Sequence, residues 1–210
     1  MGSTVFIDII GSMLIGGILL VAALTMNDNA TKNTFQSQEN LTVQQNLTSL
    51  IQTLEHDFRL IGYRNGGNPP ADSCILYGRS DSIAFLSDLN DDGNSDTVIW
   101  YLERNPICKY SKYCPNPNVK MLVRKAKCNG VWLVDSANLG VTQFSIGYYN
   151  GFKVQIDTLH LPYTFLSPDP PILLQLNLMV QPIAAFDTAY SSNFAFWTQT
   201  RLVSRNLTAR

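Results

Sequence analysis

The chain is 210 residues long, carries a formal net charge of -1 and has only 15% charged residues, against about 25% in an ordinary globular domain. That length suits one anchor element plus one compact domain, and the near-neutral balance leaves no global basic field of the kind that draws nucleic acid. Asn, Thr, Ser, Gln and Tyr are plentiful instead, so the surface is polar without being charged.

Residues 4–26 read TVFIDIIGSMLIGGILLVAALTM, apolar on every face, with Asp8 near the start and no charge over 9–24. As a helix this run has no side that water can face, and it needs lipid or the same segment of sister chains around it. No Lys or Arg precedes it, the first basic residue is Lys32, and the pattern continues past Met26 as helix. A retained anchor is therefore favoured over a removable secretory signal.

Between Ile18 and Ile61 there is neither Gly nor Pro, although Asn and Thr weaken the helical propensity over 27–34. Val43, Leu47, Leu50, Leu54, Phe58 and Ile61 then recur at steps of three and four, which places them on one stripe. Gln44, Gln45, Thr48, Gln52 and Glu55 take the other face. The spacing predicts one long helix over 4–61 with an all-round apolar half and an amphipathic half, spanning roughly 85 Å at 1.5 Å per residue and stopped by Gly62.

From Cys74 onward the period becomes two. Strands are predicted at 82–86, 97–103, 119–127, 131–134, 141–149, 152–156, 172–181 and 194–204, with Asn150-Gly151 as a two-residue hairpin turn. No helix-length pattern interrupts them, so the sheet should be mainly antiparallel. The fold class is α+β: a hydrophobic helix at 1–26, its amphipathic continuation at 27–63, and a β-rich head at 64–210.

This order of elements resembles the type IV pilin and type II secretion pseudopilin superfamily. LEHDFRLIGYR at 54–64, the stretch DSIAFLSDLNDDGNSDTVIWYL and the tail RLVSRNL at 201–207 are similar to its larger minor pilins and pseudopilins, of the W and J type. FIDIIGSMLIGGILL aligns with the family's apolar segment so that Asp8 takes the position of a Glu five residues into the mature chain. That alignment makes Thr4 the first mature residue. Met1, Gly2 and Ser3 stand where the family usually has a basic leader and a Gly-Phe junction, so a minimal leader, an uncut chain and an already processed Met1 are the alternatives.

The resemblance implies a structural subunit, held in the inner membrane with its assembly machinery and then polymerised into an extracellular filament or periplasmic pseudopilus. Its partners would be copies of itself and other pilin-like subunits. In hydrocarbon an unpaired Asp8 costs several kcal/mol, so a partner such as the amino group of an adjacent subunit would set the axial register. Gly11, Ser12, Gly16 and Gly17 are small enough to let helices approach closely. A second reading is a membrane-tethered or tip-located binding module, an adhesin or DNA-uptake pilin, that makes contact through its head.

Four cysteines, Cys74, Cys108, Cys114 and Cys128, all follow the anchor, with no CxxC or CxxCH spacing, so disulfides in an oxidising compartment are expected before zinc or haem. Cys108 with Cys114 would close a loop displaying Lys109, Tyr110, Lys112 and Tyr113, a candidate contact for a nucleic-acid strand, a glycan or an anionic surface. Cys74 with Cys128 would be the remaining pair, and the other two connectivities stay open.

Asp88, Asn90, Asp92, Asn94 and Asp96 place oxygen ligands at alternate positions around Gly93, as a short calcium loop requires. Ile99 stands where an EF-hand has its bidentate Glu, so the alternatives are a shorter calcium loop or a plain Asp/Asn/Gly turn. Asn40, Asn46 and Asn206 begin N-x-T triplets of the glycosylation type. With only His56 and His160, and no GxSxG, HExxH or phosphate-cradling glycine loop, no enzyme is expected.

Overall fold

The computed structural model describes residues 2–66, 74–103, 116, 118–137, 139–156, 171–182 and 196–203, with the backbone alone at 2–4 and 137. The chain divides into two units, Met1–Thr42 and Val43–Arg210. Helix α1, Gly2–Arg59, passes through both.

In the first unit α1 is the whole structure, and residues 5–35 are exposed throughout. Val5, Phe6, Ile7, Met13, Leu14, Leu19 and Leu20 all point outward, as the all-round apolar pattern requires. This is a helix long and apolar enough to cross a membrane. Hydroxyls along α1 are satisfied within it: Thr25, Thr31, Thr34 and Thr42 each donate to the carbonyl four residues back.

In the second unit α1 behaves as its stripe predicts. Val43, Leu50, Leu54, Phe58 and Ile61 are buried, with Leu47 and Ile51 packed beside them. The helix ends at Arg59; Leu60 donates back to His56 and Asp57, and Gly62 takes the left-handed conformation at φ 73° that closes many helices. The Gly62 N–H then donates to the Leu86 carbonyl at 2.8 Å, tying the helix exit to the sheet.

Two antiparallel sheets follow. The first is a meander, β1 (Ile75–Gly78), β2 (Ser82–Ser87), β3 (Asp96–Leu102), β4 (Leu122–Cys128) and β5 (Val131–Ala137), in that spatial order. The second is β6 (Val141–Tyr149), β7 (Leu173–Val180) and β8 (Phe196–Val203). Alternation along β3 and β7 turns Val98, Trp100, Leu174, Leu176 and Leu178 inward, and one hydrophobic cluster takes in both sheets and the helical stripe. Phe58 of α1 lies with its ring centroid 5.7 Å from that of Phe85 on β2.

The sheets join where β6 meets the turn after β1. Ile146 N–H donates to Ser80, and the Tyr148 hydroxyl donates to the Arg79 and Ser82 carbonyls. The Tyr148 ring lies directly over Gly78, where a Cβ would stand 2.6 Å from it. Here glycine is required by close approach and not by its backbone angles.

Three expectations need correcting. Strand β1 was not among the predicted strands, because four residues are too few to show alternation. Residues 152–156 form no strand: the Asn150 side chain accepts from the N–H of Phe152 and of Val154, and Lys153 adopts φ 62°, so the chain turns over three residues. Only Tyr149 and Gln155 bridge, and β6 finds its full partner in β7. The two-residue Asn-Gly turn stands at Asn129-Gly130, φ 50° and 83°, between β4 and β5, where both central residues adopt the left-handed angles of a type I′ turn.

Candidate functional site

The anchor's candidate assembly residues fall in an order that helix geometry sets. At 3.6 residues per turn, steps of four put Asp8, Ser12 and Gly16 along one line with Gly11 beside it, and put Gly17 on the far side. Ser12 returns its hydroxyl to the Ile9 carbonyl, leaving a low profile. A Cβ built at Gly11, Gly16 or Gly17 meets nothing within 4 Å. Each glycine costs about 1 kcal/mol of helix stability relative to Ala, and no described part of this chain fills the space it leaves.

The Asp/Asn loop is described in full. Both carboxylate oxygens of Asp88 are turned onto backbone: Asn65 N–H at 3.1 Å, Asp92 N–H at 3.2 Å and Gly93 N–H at 2.8 Å. Asp92 accepts from the Asn94 N–H and the Asn90 amide, and Asp96 accepts from the Leu89 N–H. Among the described residues no three His, Cys, Asp or Glu side chains converge as a cation site. As it stands the loop is a backbone-organising turn, with Asp91 at φ 59° and Gly93 at φ 81°.

What the loop holds is the helix exit. Asp88 N–H donates to Tyr63, the Tyr63 hydroxyl to Asp91, the Asn65 amide to the Asp91 carbonyl, and the Arg64 Nε to the Gly93 carbonyl. Burial alone would push the Asp88 carboxyl up, but the N–H groups of Asn65, Gly93, Asp92 and Asp91 outweigh it and hold it below its ordinary value. The hydrogen bond to Asp91, with the charge of that carboxylate, pushes the Tyr63 phenol up.

Cys74 is buried just before β1, and Cys128 is half-buried at the end of β4. No bridge joins them. Cys74 is level with Leu86, Leu86 pairs with Thr97, and Thr97 pairs with Lys127, so three strand spacings, about 14 Å, separate the two cysteines. A disulfide needs Cα atoms within about 7 Å. The expected Cys74–Cys128 pairing is thereby corrected; Cys108 and Cys114 lie outside the described residues, as does the candidate contact loop with Lys109, Tyr110, Lys112 and Tyr113. Burial first, and then Asp96, push the Cys128 thiol up, which disfavours the reactive thiolate.

One polar constellation escaped the sequence reading. Asp57 sits on the buried side of α1 with only 2% of its surface exposed. Its Oδ2 accepts from Arg124 Nε at 2.6 Å and from Trp100 Nε1 at 2.9 Å, and its Oδ1 accepts from Arg124 Nη2 at 3.2 Å. Asp135 on β5 stands 3.5 Å from the same guanidinium. Burial would lower the Arg124 pKa; the hydrogen bonds and charge of Asp57, with Asp135 behind, raise it instead. The signal available in the sequence was a carboxylate one place before Phe58, inside the apolar stripe.

On the opposite face of the first sheet, Lys125 Nζ lies 5.2 Å from the Tyr101 ring centre and Lys127 Nζ 5.8 Å from that of Trp132. Comparison with protein-family models, with curated proteins and with solved structures finds no match to this chain.

Proposed function

We propose that the chain is a pilin-like structural subunit, held in a membrane by α1 and assembled through the same segment into an extracellular or periplasmic filament. The observation that carries this reading is the anchor unit: residues 5–26 expose apolar side chains on all sides, so the folded chain leaves them to be covered by lipid or by copies of itself. The open glycines and the line Asp8-Ser12-Gly16 support helix-to-helix packing. The head supports a subunit role by holding the end of α1 that lies within it, through Asp57 and Arg124 and through the Asp88 turn.

Electron microscopy of the full chain, isolated from membranes and allowed to polymerise, tests it. Filaments built from this chain alone are the expected result. A single copy at the tip of fibres made of other subunits would move the reading to a binding module. A protein that stays monomeric and soluble without detergent would overturn it.

A further inference from the structure

Residues 131–134 of β5 are Val, Trp, Leu and Val, and their exposures are 64%, 46%, 55% and 57%. Alternation sends Val131 and Leu133 to the helix-bearing face and Trp132 and Val134 to the other, so β5 exposes apolar side chains on both sides, with Lys127 Nζ lying over the Trp132 ring. It is the terminal strand of its sheet and pairs with β4 over seven residues with no bulge. Edge strands are ordinarily blunted by charged side chains, proline, a bulge or shortness; Val131–Ala137 is seven residues long with no bulge or proline, and its one charge, Asp135, stands beyond the apolar run 131–134. The contrast is within the molecule: β1, the other edge, is four residues long and bulged.

An open filament narrows the choice of occupant, and this step rests on the filament reading above. Pairing of β5 with its own copy is two-fold and closes at a dimer, whereas an open polymer needs two different surfaces that join head to tail. Of the remaining terminal strands among the described residues, β6 is already engaged along its outer side by Lys120, Ser80 and the Tyr149–Gln155 bridge. Strand β8 is of matching length, eight residues, and exposes Trp197 at 62% and Val203 at 52%. It also presents Arg201, exposed although its Nε donates to Gln175, whereas β5 presents Asp135, whose side chain is 73% exposed beside Arg124. Length, apolar character and opposite charge agree.

We propose that β5 of one copy docks along the outer edge of β8 of the next, joining the two sheets across the subunit boundary. The apolar patch covers only a few hundred Å2, too little for a stable free dimer, so the contact forms where the anchor helices already hold copies together.

The test uses the full chain in vesicles or filaments, with a benzophenone side chain in place of that of Trp132, and a second preparation with the same group in place of Leu14. Irradiation and peptide mapping should join position 132 to residues 196–203 of another copy. Val134→Lys, which places a charge on the edge, should lower that product at least about tenfold, with the near-ultraviolet circular dichroism of the head unchanged. Capture of the chain's own residues, of β5 in another copy, or of no chain at all overturns the proposal. If position 14 joins copies while position 132 does not, the edge contact fails and the filament reading stands. If neither does, both fail.

Discussion

Arg124 of β4 and Asp57 of α1 meet in a two-pronged ion pair, Nε to Oδ2 at 2.6 Å and Nη2 to Oδ1 at 3.2 Å. They lie 67 positions apart in sequence, and the pair pins the amphipathic half of the helix to β4, the strand next to the β5 edge of the first sheet. Trp100 completes the set of donors to the carboxylate, so register between helix and sheet is specified by polar geometry as well as by packing.

Arg124→Ala should destabilise the head by about 3 kcal/mol, the low end of the range for a broken buried pair, because the arginine side chain remains 20% exposed. The loss comes from leaving the Asp57 charge buried with Trp100 as its remaining hydrogen-bond donor among the described residues, and His56 Nδ1 3.6 Å away. Arg124→Lys should recover part of it, since an ammonium keeps the charge and loses the fork. Replacing both partners, Asp57→Leu with Arg124→Met, should cost less than Arg124→Ala alone, which urea denaturation of the three variants would show.

Asp88 gives a prediction in pH. Its carboxyl lies below the ordinary value of 3.8 in the folded chain, so the unfolded state binds the proton more readily. Its stabilising effect is fully present above that value and is lost as pH falls through the lower folded value. Asp88→Asn should destabilise the protein at pH 6, because one amide oxygen must serve three N–H donors. The gap from the parent should close below pH 3.8, as denaturation midpoints measured across that range would reveal.

The elements that were legible in the sequence are those with long, local periods. The stripe from Val43 to Ile61 and the alternation in β7 each repeat often enough to be read without tertiary information. The Asp57–Arg124 pair was not legible, because nothing local marks which basic residue a buried carboxylate will meet. The Asp88 loop shows a related limit: alternate Asp and Asn mark a turn, but not that Tyr63, Arg64 and Asn65 arrive from the helix end to be held by it. Asn129-Gly130 and Asn150-Gly151 are the same dipeptide, and the Asn150 side chain, by capping two N–H groups, decides that only the first makes a two-residue hairpin.

Gly78→Ala should destabilise the junction of the two sheets by about 1–3 kcal/mol, since its methyl would press on the Tyr148 ring. The effect should be less than additive with Tyr148→Leu, which removes the ring and its hydrogen bonds to Arg79 and Ser82. A double-mutant cycle by thermal unfolding measures the coupling.

The strand register also predicts a peptide map. Under non-reducing conditions no peptide should contain Cys74 joined to Cys128, because three strand spacings lie between them. Finding that bridge in high yield would mean that the first sheet has a different register in solution.

The anchor yields the last prediction, and it separates assembly from folding. Gly16→Leu fills a space that nothing in the described chain occupies, so the head should unfold at the same urea concentration as the parent. On the line with Asp8 and Ser12, however, an added isobutyl group would hold neighbouring helices apart. Gly17→Leu introduces the same group on the far side of the helix and serves as the matched control. If copies pack through the Asp8 face, Gly16→Leu should reduce cross-linking of the anchor in membranes by about tenfold while Gly17→Leu has a smaller effect. Equal loss from both would mean that copies surround the helix on all sides, and no loss from either would mean that lipid alone covers it.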